Sequence, residues 1–132
     1  MISSGKKILV VDDDKELCEE IAEALSLEGF SVKCIFDGEA GKKAIAEYEY
    51  ELAVLDLKLP GMSGYELLKF AKKQKPSRKV VILTGSFLAK YIDKSSEHYS
   101  AEQQEISTLA DMIIDKPFDM EKMIIEIYEL LK

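Results

Sequence analysis

Residues 8 to 16 read ILVVDDDKE. Four strand-forming apolar residues, Ile8, Leu9, Val10 and Val11, run directly into three carboxylates, Asp12, Asp13 and Asp14. A continuous apolar run of this kind suits a strand covered on both faces, as the strands of a parallel sheet are. Like charges crowded at its end repel one another. They therefore cap a following helix or neutralise a cation.

Reading outward from that stretch, Leu17, Ile21, Ala24 and Leu25 recur at helical spacing, and Gly29 marks a C-terminal stop. FSVKCIF (30–36) reads as a second strand. Asp37 is placed to cap a helix whose face runs through Ala40, Ala44, Ile45 and Tyr48. A third strand, ELAVLD (51–56), ends in Asp56. Pro60, Gly61 and Gly64 form the next loop, and Ser63 with Glu66 reads as a capping box for a helix burying Leu67, Leu68 and Ala71. KVVILT (79–84) and DMIID (111–115) are the fourth and fifth strands. Residues 119–131 form a last helix with Met123, Ile124, Ile127 and Leu131 inward. Strands alternating with helices predict an α/β domain: a doubly wound, five-stranded parallel sheet with helices on both faces, residues 1–132 forming one domain.

Bulk properties narrow the function classes. The chain of 132 residues can build one core without a disulfide or metal staple. No apolar run approaches a membrane span, and MISSGKK lacks the apolar stretch of a signal peptide. Cys18 and Cys34 have neither metal-site nor redox-motif spacing, so both read as free thiols, and a cytoplasmic location is expected. A net charge of −7 argues against general attraction to nucleic acid or anionic lipid.

In open α/β sheets, ligands bind beyond the carboxyl ends of the strands. The residues there are Asp12 and Asp13, Asp56, Thr84, and Lys116 followed by Pro117. Carboxylates crowded at one sheet edge raise each other's pKa unless a cation neutralises them, and an oxygen-rich acidic site suits Mg²⁺, with Mn²⁺ as a substitute. A hydroxyl and an ammonium complete a pocket for an anion beside that metal.

These pieces, ILVVDDD, LDLKLPGMSG, VVILTGS and DKPF, occur in the order and on the elements that mark the response-regulator receiver domains of two-component signalling. The chain resembles that CheY-like family over roughly residues 6–131. The resemblance implies a flavodoxin-like topology and a phosphorelay role. Asp56 would be the phosphoacceptor; Asp12, Asp13, Asp56 and the backbone carbonyl of Lys58 would hold Mg²⁺; Thr84 and Lys116 would contact the phosphoryl group. The implied donor is a phosphohistidine on a sensor histidine kinase or phosphotransfer protein. The chain would catalyse its own aspartyl phosphorylation and slow dephosphorylation without being a conventional turnover enzyme. The face formed by helix four, strand five and helix five would be read by a downstream protein or output domain, and the resemblance allows a homodimer on activation. Direct nucleic-acid or membrane binding by this domain is not expected.

Simpler readings compete at single positions. Asp14 reads as a helix cap or a solvated residue, His98 as surface, and Cys18 and Cys34 as small core residues. The basic residues Lys72, Lys73, Lys75, Arg78 and Lys79 read as a solvated edge, and Met112, Met120 and Met123 as packing. Lys116 precedes Pro117, which fits a rigid peptide able to be cis. Two features depart from the family. Ile113 stands three residues before Lys116, where the family carries Tyr or Phe, and the segment between Thr84 and Lys116 is longer by about ten residues. Ser100 with Gln103 could cap a helix through Ile106 and Leu109 after a break at Ser95 and Ser96, which predicts an unusual or extended fourth helix. Lys58 and Ser86 flank the site and would influence water access.

Rival functions fare less well. A haloacid-dehalogenase type phosphatase wants a second acid two residues after its nucleophile, where this chain has Lys58. Neither GxGxxG nor GxxxxGK[ST] is present, and carboxylates occupy the turn where a nucleotide's phosphates would sit. The alternative that stays open is a phosphorylation-independent interaction module.

Overall fold

A computed structural model describes residues 5–85 and 101–132. In these, β1 (Lys7–Val11), α1 (Lys15–Leu27), β2 (Ser31–Ile35), α2 (Gly38–Glu47), β3 (Leu52–Asp56), α3 (Gly64–Gln74), β4 (Lys79–Thr84), α4 (Ala101–Leu109), β5 (Met112–Asp115) and α5 (Met120–Leu130) follow in order. The strands form one parallel sheet in the order β2-β1-β3-β4-β5. Parallel neighbours need crossover connections, and the helices supply them.

Each face of the sheet has its own core. Leu9, Val11, Ala53, Leu55, Val80 and Ile82 point to the side covered by α2, α3 and α4, where they meet Ile45, Leu67, Leu68, Ala71 and Ile106. Ile8, Val10, Leu52, Val54, Val81 and Leu83 point to the other, against Cys18, Ile21, Leu25, Met123 and Ile127. Successive side chains along a strand alternate between faces, so a run apolar at every position feeds both cores. Full burial of each Leu or Ile is worth about 2 kcal/mol.

Helix ends follow local chemistry. Asp14, Asp37, Ser63 and Asp119 each accept a backbone N–H from the first turn of α1, α2, α3 and α5. After α1, Gly29 takes φ +93°, its N–H donating to Ser26 O and the Phe30 N–H to Leu25 O. That pairing is a Schellman stop, and only glycine adopts its backbone without strain.

Two sequence expectations are corrected. The inward face of α2 is Gly38, Gly41, Ala44 and Ile45, while Ala40 is exposed. Gly41 replaces bulk with proximity: a Cβ there would lie 3.0 Å from Val11 Cγ1 and 3.2 Å from Leu67 Cδ1. On α1 the expected face is in place, Ile21 and Leu25 fully buried beside Cys18, with Leu17 and Ala24 half-buried. The basic cluster is also not uniformly solvated. Arg78 is buried, its guanidinium 4.2 Å from the Tyr50 ring centroid and its Nη1 donating to Ile45 O. Lys72 donates to Asp111 Oδ2 and to Arg78 O, both at 2.7 Å. The expected break at Ser95 and Ser96, the cap at Ser100, His98 and Ser86 lie outside the described residues.

Candidate functional site

The sheet order places a switch beside β1, because the chain leaves β1 for β2 on one side and later reaches β3 on the other. In open α/β sheets such a switch point, at the carboxyl ends of the strands, is where ligands bind. The register pairs Val11 with Leu55, so Asp12 and Asp56 come next on neighbouring strands. Thr84 pairs with Asp115 at the ends of β4 and β5, and Lys116 follows. The topology thus gathers four segments distant in sequence.

Asp12 is fully buried, Asp56 is nearly so, and Asp13 is exposed. One carboxylate oxygen from each lies within 4.8 Å of the others. The Lys116 Nζ sits between the two buried acids, 2.9 Å from Asp12 Oδ2 and 3.4 Å from Asp56 Oδ2. The remaining oxygens accept from main chain: Asp12 Oδ1 from the Asp14 N–H at 2.9 Å, and Asp56 Oδ1 from the Lys58 N–H at 3.4 Å. Thr84 is buried at the end of β4, and its carbonyl accepts the Lys116 N–H at 2.9 Å. The Lys116–Pro117 peptide is cis.

Three carboxylates face one ammonium, so the cluster is short of positive charge. Burial and the neighbouring Asp12 raise the Asp56 pKa to about 6, against the lowering pull of Lys116 and the Lys58 N–H. For Lys116, burial works against the charged form, but the hydrogen bond from Lys116 to Asp12 and the charges of Asp56 and Asp12 outweigh it and raise its pKa. A hard divalent cation fits this donor set, because it supplies the missing charge and takes oxygen ligands.

Sequence reading named every one of these side chains, and the fold brings Asp12, Asp13, Asp56 and Lys116 together. It missed the supporting atoms. The Cys18 thiol donates to the Asp12 carbonyl at 3.3 Å, which ties α1 to the acidic turn. Gly64 passes so close to β3 that a Cβ would stand 2.2 Å from the Asp56 carbonyl oxygen. The glycine in GMSG was the available signal, since close backbone approach is a recurring reason for glycine. Ile113 lies half-buried against the core on the α2, α3 and α4 side.

Among known proteins, the transcriptional regulatory protein TctD of Salmonella typhimurium is 31% identical over 129 residues, covering 96% of this chain and 52% of TctD. The chain spans about half the length of the curated relatives it matches. Of solved structures, a CheY-like response regulator receiver domain protein from Methanospirillum hungatei matches with a TM-score of 0.81 at 32% identity, over 97% of this chain and 94% of that one. TrrA of Thermotoga maritima, solved in complex with Mg²⁺ and BeF, matches with a TM-score of 0.75 at 30% identity, over 95% of this chain and 98% of that one. No helix among the described residues is long and apolar enough to cross a membrane. Residues 8–128 match the family described as the response regulator receiver domain, and with the five-stranded sheet and the acidic cluster in place, this chain belongs to that family.

Proposed function

We propose that the chain is a phosphoacceptor switch, taking a phosphoryl group from the phosphohistidine of a sensor kinase or phosphotransfer protein onto Asp56. The observation that carries this reading is the charge imbalance at the strand ends: two buried acids share one lysine, and a third, exposed acid lies beside them. Asp12, Asp13, Asp56 and the Lys58 carbonyl are the oxygens that would hold Mg²⁺. When bound, such an ion neutralises the carboxylates and draws charge from a phosphoryl oxygen.

The chain's own residues then do the rest. An Asp56 carboxylate oxygen attacks phosphorus in line, the new P–O bond forms as the P–N bond to the donor imidazole breaks, and the electron pair stays on the imidazole nitrogen. Asp56 must be ionised to attack, and with a pKa near 6 it is so at neutral pH. Lys116, already within reach of Asp56, offers its ammonium to a second phosphoryl oxygen. The Thr84 hydroxyl offers a donor to a third. The altered contacts at Thr84 and Lys116 would pass along β4 and β5 to the α4–β5–α5 face, read by an output domain or separate protein. Because Ile113 stands at the position usually aromatic, that readout rests on aliphatic repacking.

Intact-mass measurement after incubation with Mg²⁺ and acetyl phosphate tests this reading. One phosphoryl group should be gained by the wild type and none by Asp56→Asn or without Mg²⁺. An unmodified wild type would favour the interaction module that signals without phosphorylation.

A further inference from the structure

The molecule is electrically two-sided. Residues 69–79 carry Lys69, Lys72, Lys73, Lys75, Arg78 and Lys79 with no Asp or Glu among them, in a chain whose net charge is −7. The acidic excess lies elsewhere, much of it on α1, where Glu16, Glu19, Glu20 and Glu23 are all exposed. α1 and α3 cover opposite faces of the sheet. One copy can therefore present an acidic helix and a basic one at the same time, pointing away from each other.

The basic side is a shallow, open groove. Between α3 and α4 runs a hollow of about 710 Å³, lined by Lys69, Lys72 and Lys73 on one wall and by Gln104, Thr108 and Leu109 on the other. Lys72 pairs with Asp111, and the Lys69 Nζ lies 4.3 Å from the Tyr65 ring centroid while staying exposed; Lys69 and Lys73, one turn apart, are the exposed ammonium groups of this wall. Glu105 also lines the hollow; its carboxylate accepts the Tyr65 hydroxyl at 2.9 Å and keeps its charge, which the three lysines outnumber. Leu109 and the lysine stems make the floor apolar.

The acidic side has a matching shape. Glu16, Glu20, Glu23 and Leu27 follow one another at intervals of four, three and four residues, a single stripe on the exposed face of α1. Leu27 ends the stripe and is 78% exposed, the most exposed large apolar side chain among the described residues. A row of carboxylates ending in an apolar knob complements a groove with a cationic rim and an apolar floor.

We infer that the α1 stripe of one copy of this chain docks into the α3–α4 groove of another, a head-to-tail contact between two different surfaces. Contacts of this type do not close on themselves in pairs, so they add copies in sequence unless a ring forms. Net repulsion between like-charged copies opposes the contact at long range, while the paired charges and Leu27 favour it at short range. The association is weak and salt-sensitive, since rim pairs of this kind are screened within about 8 Å at physiological ionic strength.

Sedimentation velocity over a range of protein concentrations tests the inference, using the whole chain in about 50 mM salt and again in about 500 mM. The wild-type sedimentation coefficient should rise with concentration in the low-salt buffer and stay flat in the high-salt one. Glu20→Lys/Glu23→Lys should remain monomeric, and so should Lys69→Glu/Lys73→Glu, all four positions being exposed and compatible with folding. An equimolar mixture of the two variants should associate again, because each then carries what the other's altered surface needs. A wild type that is monomeric throughout would overturn the inference. So would association that either variant leaves intact, or a mixture that fails to recover it.

Discussion

Asp56 is held where its charge is least comfortable and most useful. Its carboxyl is raised from 3.8 to about 6, chiefly by burial and then by Asp12. The folded protein consequently binds that proton more tightly than the unfolded chain. Stability from this group is full below about pH 4 and lost as pH rises through about 6, a difference of about 3 kcal/mol. Without metal, Asp56→Asn should therefore be more stable than wild type at pH 7, by about 1–3 kcal/mol, and should lose most of the pH dependence between 4 and 6. Urea melts at several pH values check both. Lys116 acts in the opposite sense. Lys116→Ala leaves Asp12 and Asp56 facing each other without their shared ammonium, and should cost about 2–4 kcal/mol at pH 7 in metal-free protein.

Between elements, backbone proximity and long-range polar ties set the tolerances. Gly64 opens α3 against the end of β3, and Gly64→Ala would drive a methyl group into the Asp56 carbonyl. The variant should be destabilised by about 1–3 kcal/mol, with phosphoryl uptake from acetyl phosphate slowed as the Asp56 backbone shifts. At the other end of the sheet, Arg78→Ala removes the stacking on Tyr50 and the bond to Ile45 O. It should cost about 1–3 kcal/mol in a chemical melt, whereas the exposed Lys73→Ala should be near neutral. These ties explain what sequence reading missed. The strands and helix caps were legible, most boundaries within one residue, because apolar runs and Asp or Ser caps are local signals. Arg78 and Lys72 were not, because their partners Ile45, Tyr50 and Asp111 lie 28 or more residues away and meet them only through the topology. Gly38 and Gly41 carry no hydropathy, so the buried side of α2 was invisible to a pattern of apolar residues.

For the whole molecule, fold and site are a single consequence of one strand order. Asp12, Asp56 and Lys116 were legible as a set because all stand at carboxyl ends of strands, where open α/β sheets bind ligands, and because the resemblance to receiver domains gave each a role. A divalent cation bound to that set should stabilise the folded state by mass action, about 2.7 kcal/mol at a hundredfold excess over its Kd. Thermal melts with and without Mg²⁺ should show this gain in wild type. Asp13→Asn should lose most of it while leaving the metal-free melt unchanged, since Asp13 is exposed. The central claim, that this site gives Asp56 a phosphoryl group to hold, is tested most directly by locating that group. Borohydride reduces an aspartyl phosphate to homoserine, so peptide mass spectrometry after treatment with Mg²⁺, acetyl phosphate and borohydride reads the modified position. Homoserine at position 56, dependent on Mg²⁺, is the expected result; homoserine at another aspartate, or at none, would contradict it.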